Sequence, residues 1–186
     1  MRQYTAKDIE QFLNTYSEYI SHVVVAHTYF RPFNKQQQQI DKMAEQAKKD
    51  CKHALNCFYK LLYPNATNKP VRKPELYKPL TFVTIENAKE NLSREQTIHF
   101  NIAFGNLPKI LNTDEIETLF KHAWTNMAKQ STDVKAYDVN EYPSENNTWN
   151  GYSLKEAQQQ RSKAWRIEGI WDVSNCWIPH AAHNAD

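Results

Sequence analysis

The sequence predicts an α+β protein, with one antiparallel sheet and helices packed on it in a split βαβ order. Four segments rich in β-branched and aromatic residues have the composition of strands: 22–30, 80–86, 97–104 and 134–139. Between them apolar residues recur at helical spacing, so that an opening helix is followed by the order β-α-β-β-α-β-α. The 186 residues, 40% of them hydrophobic, suit a single domain with a core of its own.

The first half of the chain predicts a short helix, a strand and a long helix. Thr5 and Asp8 have the spacing of a helix N-cap and its return partner, and the apolar pattern after them indicates an amphipathic helix. Residues 22–30 (HVVVAHTYF) predict a strand buried on both faces. From Gln36 a long helix is expected, which ends where Pro64 cannot continue the hydrogen-bond ladder. Its predicted buried stripe is Ile40, Met43, Ala44, Ala47, Cys51, Leu55, Phe58 and Leu62.

The second half predicts a hairpin, a helix, a strand and a last helix. Residues 80–86 (LTFVTIE) and 97–104 (TIHFNIAF) are joined by a polar connection and are expected to pair. Asn112 begins a helix whose first turn is acidic, as the helix dipole favours. A strand is expected at 134–139 and a helix from Gly151 to Trp165. The buried stripe predicted for the helix that begins at Asn112 is Ile116, Leu119, Phe120, Ala123, Trp124 and Met127.

The composition excludes several classes of function. With three glycines in the chain, neither the glycine-rich dinucleotide motif nor the phosphate-binding P-loop can be written. Apolar runs are too short for a membrane span and the N-terminus has no signal-peptide core, so we expect a cytoplasmic protein. Three cysteines without a C-x-x-C pair are expected to be reduced thiols. We expect residues 1–20 to be an N-terminal helix, 21–175 the main domain and 176–186 a C-terminal tail.

Two neighbouring strands carry polar side chains suited to binding a metal ion. On the strand 97–104, His99 and Asn101 point to the same face, roughly 7 Å apart, while Phe100 points to the core under the helices. An imidazole nitrogen and a carboxamide oxygen at that separation can share one ion, although half-exposed strands also carry polar residues with no such role. Glu86, at the end of the hairpin partner, is expected near His99, with Glu90 and Glu95 of the connecting loop as rivals; a solvated strand-end glutamate is the alternative.

Two further groups suit phosphate chemistry. Tyr152 and Lys155 lie three positions apart on the predicted last helix and therefore share a face, where the ammonium stabilises a phenolate or pairs with a phosphate that the phenolate attacks. Between prolines 64 and 79 runs a basic loop that either follows a phosphate backbone or is a solvated linker; its cations are Lys69, Arg72, Lys73 and Lys78. Aromatic side chains, Trp149 among them, suit either base stacking or the core.

In this order, these features resemble the rolling-circle replication initiators of the HUH endonuclease superfamily, in their single-tyrosine form. The resemblance covers roughly residues 20–180 and is carried by HVVVAHTYF, FVTIENAKENLSREQTIHFNIAF, IETLFKHAW and WNGYSLKEAQ. It implies a nuclease domain over 21–175, a Mg²⁺ or Mn²⁺ ion on His99, Asn101 and Glu86, Tyr152 as nucleophile and Lys155 as its accompanying lysine. Asn101 departs from the family pattern, which has a second histidine or, in some viral members, glutamine. It is a weaker donor than imidazole, but its carbonyl oxygen suits Mg²⁺ or Mn²⁺.

The resemblance implies an enzyme that nicks and rejoins single-stranded DNA at a replication origin of a plasmid or phage, through a 5′-phosphotyrosine intermediate. Because the chain has no helicase signature, duplex opening would need a partner such as a host helicase. Two alternatives stay open. The first is a catalytically weakened DNA-binding or regulatory protein of the same fold. The second is an RNA-binding sheet of the RNA-recognition type, against which stands the lack of a K/R-G-F/Y-G/A-F-V-x-F/Y run.

Overall fold

The computed structural model describes residues 6–89, 93–139 and 171–180. The described residues form a four-stranded antiparallel sheet from β1 (Ile20–His27), β2 (Leu80–Glu86), β3 (His99–Gly105) and β4 (Val134–Asp138). The strands lie in the order β2-β3-β1-β4, and helices connect β1 to β2 and β3 to β4. This confirms the predicted fold class and the β2–β3 hairpin.

Two helices cover one face of the sheet and enclose the larger core. They are α2 (Gln37–Leu61) and α5 (Thr113–Lys121), which continues as a π-helical stretch over His122–Met127. The Asn112 side chain accepts a hydrogen bond from the Glu115 amide at 2.9 Å, and the Glu115 carboxylate accepts one from the Asn112 amide, so the predicted helix start is confirmed. Aromatic rings fill the space between the layers: Phe58, Phe100, Phe104, Phe120 and Trp124.

The opposite face of the sheet is covered at the end where β2 begins. Here α1 (Ala6–Asn14) and the turn after it pack Leu13 and Tyr16 against Phe82 and Ala103. The chain comes so close at Gly105 that any Cβ there would collide with the Tyr19 carbonyl oxygen. All seven residues of β2 and all seven of β3 are buried, whereas the sequence also allowed β3 to be a half-exposed strand.

Residues 171–177 run beside the outer edge of β2. The backbones of Thr81 and Trp177 exchange two hydrogen bonds of 2.8 Å, and the Asp172 amide donates to the Val83 carbonyl at 2.9 Å. These bonds occupy backbone groups that an edge strand otherwise leaves unpaired. Residues on both sides of the predicted boundary at residue 176 therefore pack against the sheet, at its β2 edge.

Several sequence-based boundaries differ from the structure. The strand predicted over 22–30 is β1, Ile20–His27, and two of its residues on the α1 side, Val25 and His27, are only half-buried. The basic loop contains two helical turns, α3 (Lys69–Arg72) and α4 (Pro74–Tyr77), each with a proline in its first positions. Met127, expected in the buried stripe, is 46% exposed, because the π-helical stretch changes the 3.6-residue phase. The helix predicted from 151 to 165 lies outside the described residues. Among the helices that the structure describes, none is long and apolar enough to cross a membrane.

His22 makes the stability of the fold depend on pH. Its Nε2 lies 3.3 Å from the Thr113 hydroxyl and its Nδ1 lies 3.0 Å from the Ser21 hydroxyl. Burial lowers the pKa of His22 below its usual value, and the charge of Asp138 opposes this only in part. Between the lowered pKa of the folded state and the unfolded value of about 6.5, His22 therefore binds more protons in the unfolded chain than in the folded one. We expect the free energy of unfolding to fall as pH falls from 7 through this window, and the His22→Gln variant to show a shallower dependence in urea titrations. An unchanged slope in that variant would contradict the assignment.

Candidate metal and active site

Strand pairing gathers the candidate residues at one end of the sheet. In the β2–β3 ladder Glu86 pairs with His99, and in the β1–β3 ladder His27 pairs with the same His99. Asn101, two residues further along β3, points to the same face. Asn87 makes the turn after β2 in a left-handed conformation (φ 59°) that asparagine tolerates better than most residues, and its side chain donates to the Thr97 carbonyl at 3.1 Å. The hairpin therefore places Glu86, His99 and Asn101 together, as the sequence predicted.

The Glu86 carboxylate is the centre of these contacts. Its Oε2 lies 3.2 Å from His99 Nε2, and its Oε1 accepts a hydrogen bond of 2.6 Å from the Asn101 side-chain amide. Glu86 and Asn101 are each 2% exposed and His99 is 8% exposed, so the carboxylate is not the solvated strand-end group of the alternative interpretation. A charge withdrawn from water to this extent requires partners of this kind.

Asn101 leaves one polar atom unsatisfied. With its nitrogen bonded to Glu86, its Oδ1 is buried and has no hydrogen-bond partner among the described residues. A buried acceptor without a donor costs roughly 1–3 kcal/mol, so such an atom calls for an explanation. The oxygen belongs to the same cluster as a carboxylate and an imidazole nitrogen. This donor set fits a hard divalent cation such as Mg²⁺ or Mn²⁺.

The hydrogen bonds of His99 are compatible with two tautomers. Its Nδ1 lies 3.4 Å from the Thr97 carbonyl and 3.4 Å from the Asn87 side-chain nitrogen. With the proton on Nε2, the ring donates to Glu86 and Nδ1 accepts from Asn87. With the proton on Nδ1, the ring donates to Thr97 and leaves the Nε2 lone pair free for a cation, the arrangement usual for metal-binding histidines. In both tautomers Asn101 Oδ1 stays without a donor.

His27 is a neighbour of the site that the sequence did not reveal. Its ring stacks on His99 with centroids 4.6 Å apart and an interplanar angle of 18°, its Nδ1 lies 2.9 Å from the Thr97 hydroxyl, and its Nε2 lies 4.0 Å from Asp133. Burial and the adjacent His99 lower its pKa, against the raising effect of Asp133 and Glu86. Imidazole binds metal in the ring plane, so two stacked rings do not converge on one ion. His27 is therefore a platform for His99 and lies outside the candidate ligand set.

The β1 end that carries His27 is anchored from the helical layer. The indole Nε1 of Trp124, in the π-helical stretch, donates to the His27 carbonyl at 2.8 Å. Gln130 accepts from the Tyr29 amide at 3.1 Å and donates to Asp50 at 2.7 Å, which ties the end of β1 to α2. These bonds hold the platform on rigid elements.

Within the described residues, no group of three His, Cys, Asp or Glu side chains is arranged to hold a metal ion. The candidate set of His99, Glu86 and Asn101 therefore depends on the amide oxygen as its third donor. Tyr152, Lys155 and Trp149 lie outside the described residues.

The basic residues lie at the other end of the sheet. Lys69, Arg72, Lys73 and Lys78 precede the first residue of β2, and the strand from Leu80 to Glu86 spans roughly 20 Å. Lys69 lies over the Tyr77 ring at 4.8 Å, and Lys78 lies over the Trp177 ring at 4.3 Å. The structure therefore brings Glu86, His99 and Asn101 together and keeps these cations apart from them.

Comparison of the chain with protein-family models, with curated proteins and with solved structures finds no match.

The cluster predicts a metal-dependent gain in stability. Mn²⁺ should raise the melting temperature of the wild-type protein and should fail to do so in Glu86→Gln, which keeps the shape of the side chain and removes its charge. Asn101→His, which supplies a stronger nitrogen donor, should bind Mn²⁺ more tightly. Calorimetric titration and thermal unfolding measure both effects, with Glu45→Gln on the exposed face of α2 as the matched control. Equal Mn²⁺ affinity in the wild type, Glu86→Gln and Asn101→His would show that the ligand set is wrong.

Because His27 stacks on His99, we expect substitutions of His27 to weaken Mn²⁺ binding to different extents. His27→Phe retains an aromatic platform and should weaken Mn²⁺ binding by a factor of a few, whereas His27→Ala removes the platform and should weaken it about tenfold or more, the range seen for outer-shell partners. Competition with a fluorescent chelator measures the affinities. Identical affinity in His27→Ala and wild type would remove His27 from the site.

Proposed function

We propose that this chain is a replication-initiator-like endonuclease that nicks and rejoins single-stranded DNA, dependent on Mg²⁺ or Mn²⁺, through a 5′-phosphotyrosine intermediate. The observation that carries the proposal is the buried cluster of the Glu86 carboxylate, the His99 imidazole and the Asn101 carboxamide, whose Oδ1 has no hydrogen-bond partner among the described residues. The resemblance in sequence assigns the metal ligands of that family to these three side chains. Support for Tyr152 and Lys155 comes from the sequence motif alone.

A divalent ion on these side chains would polarise the scissile phosphate and neutralise the charge that develops on it. The phenolate oxygen of Tyr152 forms a bond to phosphorus while the bond from phosphorus to the 3′-oxygen breaks. The phenolic proton leaves to solvent, and the released 3′-oxygen takes up a proton. Lys155 stabilises the phenolate or pairs with the phosphate. Attack of the 3′-hydroxyl on the phosphotyrosine reverses the step and rejoins the strand.

The two alternatives differ in how well the packing suits them. RNA-recognition sheets stack bases on aromatic side chains of an open sheet face. Here Phe82 is 1% exposed and packs against Phe12 and Tyr16, which counts against that function. A DNA-binding protein without catalysis is favoured by one fact, that Glu86 already has direct partners in His99 and Asn101.

We further propose a cytoplasmic location, an origin on plasmid or phage DNA as the substrate, and a host helicase as the partner that opens the duplex. These partners follow from the proposed reaction, which needs a single strand and leaves a 3′-hydroxyl that can prime synthesis.

The reaction is tested by incubating the protein with single-stranded oligonucleotides and Mn²⁺ and separating the products on a denaturing gel. We expect a covalent protein–DNA adduct that EDTA suppresses and that Tyr152→Phe abolishes. Tyr29→Phe, which removes a hydroxyl from an exposed tyrosine, should retain the adduct. Metal-independent binding without an adduct would favour the DNA-binding alternative, and a preference for RNA the RNA-binding one. An adduct that survives Tyr152→Phe would refute the assignment of the nucleophile.

A further inference from the structure

A cleft of about 390 Å³ lies between the C-terminal part of α2 and the two short helices that follow it. Asn56 and Lys60 line it from α2, and Lys78 lines it from the start of β2. Lys52, Asn56 and Lys60 are four residues apart and share one exposed face of α2. The remaining wall is apolar and aromatic: Tyr59, Pro70, Val71 and Pro74.

The stretch of chain that contributes the cleft residues is strongly basic. Residues 51–79 contain six lysines and arginines and a single acidic residue, Glu75, in a chain whose net charge is only +2. Glu75 accepts a hydrogen bond from the His180 amide at 2.7 Å and lies 3.8 Å from its ring, so its carboxylate is engaged with the C-terminal segment. None of the six cations forms an ion pair in the part of the chain that the structure describes.

Lys78 is the most constrained of these cations. It is half-buried, and its ammonium lies 4.3 Å from the Trp177 ring centroid and 5.4 Å from that of Tyr59. Burial and the like charge of Lys52 lower its pKa. The aromatic faces offset part of this cost, but they leave the three N–H donors without an acceptor among the described residues. An anion in the cleft would supply that acceptor and relieve the repulsion between Lys52 and Lys78.

We propose that this cleft binds the phosphate of a nucleotide, with Lys60 and Lys78 on the phosphate and the apolar wall against the nucleoside. A volume of about 390 Å³ lies within the range of small-ligand sites. The lining side chains offer donors and apolar surface and no carboxylate, which favours an anion with an uncharged, partly apolar body. The nucleotide is either free or part of a single strand. The site lies roughly 20 Å, the length of β2, from His99, and it needs neither the metal ion nor Tyr152.

The test is a binding titration in EDTA, which stops the proposed nuclease reaction, so that failure of that reaction leaves the result unaffected. The probes are thymidine 5′-monophosphate, thymidine and decathymidylate. We expect thymidine to bind much more weakly than the two phosphate-bearing probes. Lys60→Gln should weaken phosphate-dependent binding about tenfold, the loss of one charge-assisted hydrogen bond, and should lower the slope of log affinity for decathymidylate against log salt by about 0.7.

The matched control is Lys42→Gln, which removes the same charge from the same helix about 27 Å away and should change binding less than twofold. Lys60 is exposed, so its replacement does not disturb the core, and Lys78→Met provides a second variant that keeps the apolar stem. Binding of the monophosphate would identify a free nucleotide as sufficient, and binding of decathymidylate alone would identify a single strand. Equal binding of thymidine, or equal losses in Lys60→Gln and Lys42→Gln, would overturn the proposal.

Discussion

The structure depends on a carboxylate kept away from water at the end of a strand. Glu86 is 2% exposed, and a carboxylate in that position is tolerated only with close polar partners. His99 and Asn101 provide them, and Asn101 can do so only by turning its nitrogen to Glu86 and its oxygen to a place without a donor. The orientation of His99, its contacts to Thr97 and Asn87, and the unsatisfied oxygen all follow from this constraint.

The two ends of one sheet face differ because of what covers them. Towards the start of β2 the face carries Phe82 and Ala103, and α1 closes over them as a second hydrophobic core. Towards the end of β2 the same face carries Glu86 and His99, whose polar atoms pair with one another. Alternation along β3 assigns residues to this face, and packing of the first helix decides which of them become core. Glu86 and His99 are thereby held on two paired strands, a rigid support of the kind that the proposed metal site requires.

The proposed metal site and the proposed phosphate cleft lie at opposite ends of β2. The metal site joins a carboxylate to an imidazole and an amide. The phosphate cleft is lined by lysines that form no ion pair among the described residues. Separation by roughly 20 Å exceeds the reach of a single nucleotide, so a ligand that occupied both sites would have to be a longer strand. Charge of this kind would favour a bound phosphate at a cost in folding stability, because the like charges of Lys52 and Lys78 repel each other in the free protein. The sheet thus separates the proposed metal site from the proposed phosphate cleft.

Local signals in the sequence were sufficient to predict most of the helices and strands and the contact between Glu86 and His99. The cap at Asn112 and the hairpin over residues 80–104 depend on neighbours in the chain, and the hairpin alone brings Glu86 to His99. His27 was not predictable in the same way, because it meets His99 through a strand pairing that spans 72 residues and that no local pattern encodes. Burial of Glu86 and the meeting of Lys60 and Lys78 at one cleft were likewise decided by packing. The sequence determined which side chains were available for chemistry. The tertiary structure decided which of them were buried away from water, and buried polar groups need hydrogen-bond or ion-pair partners.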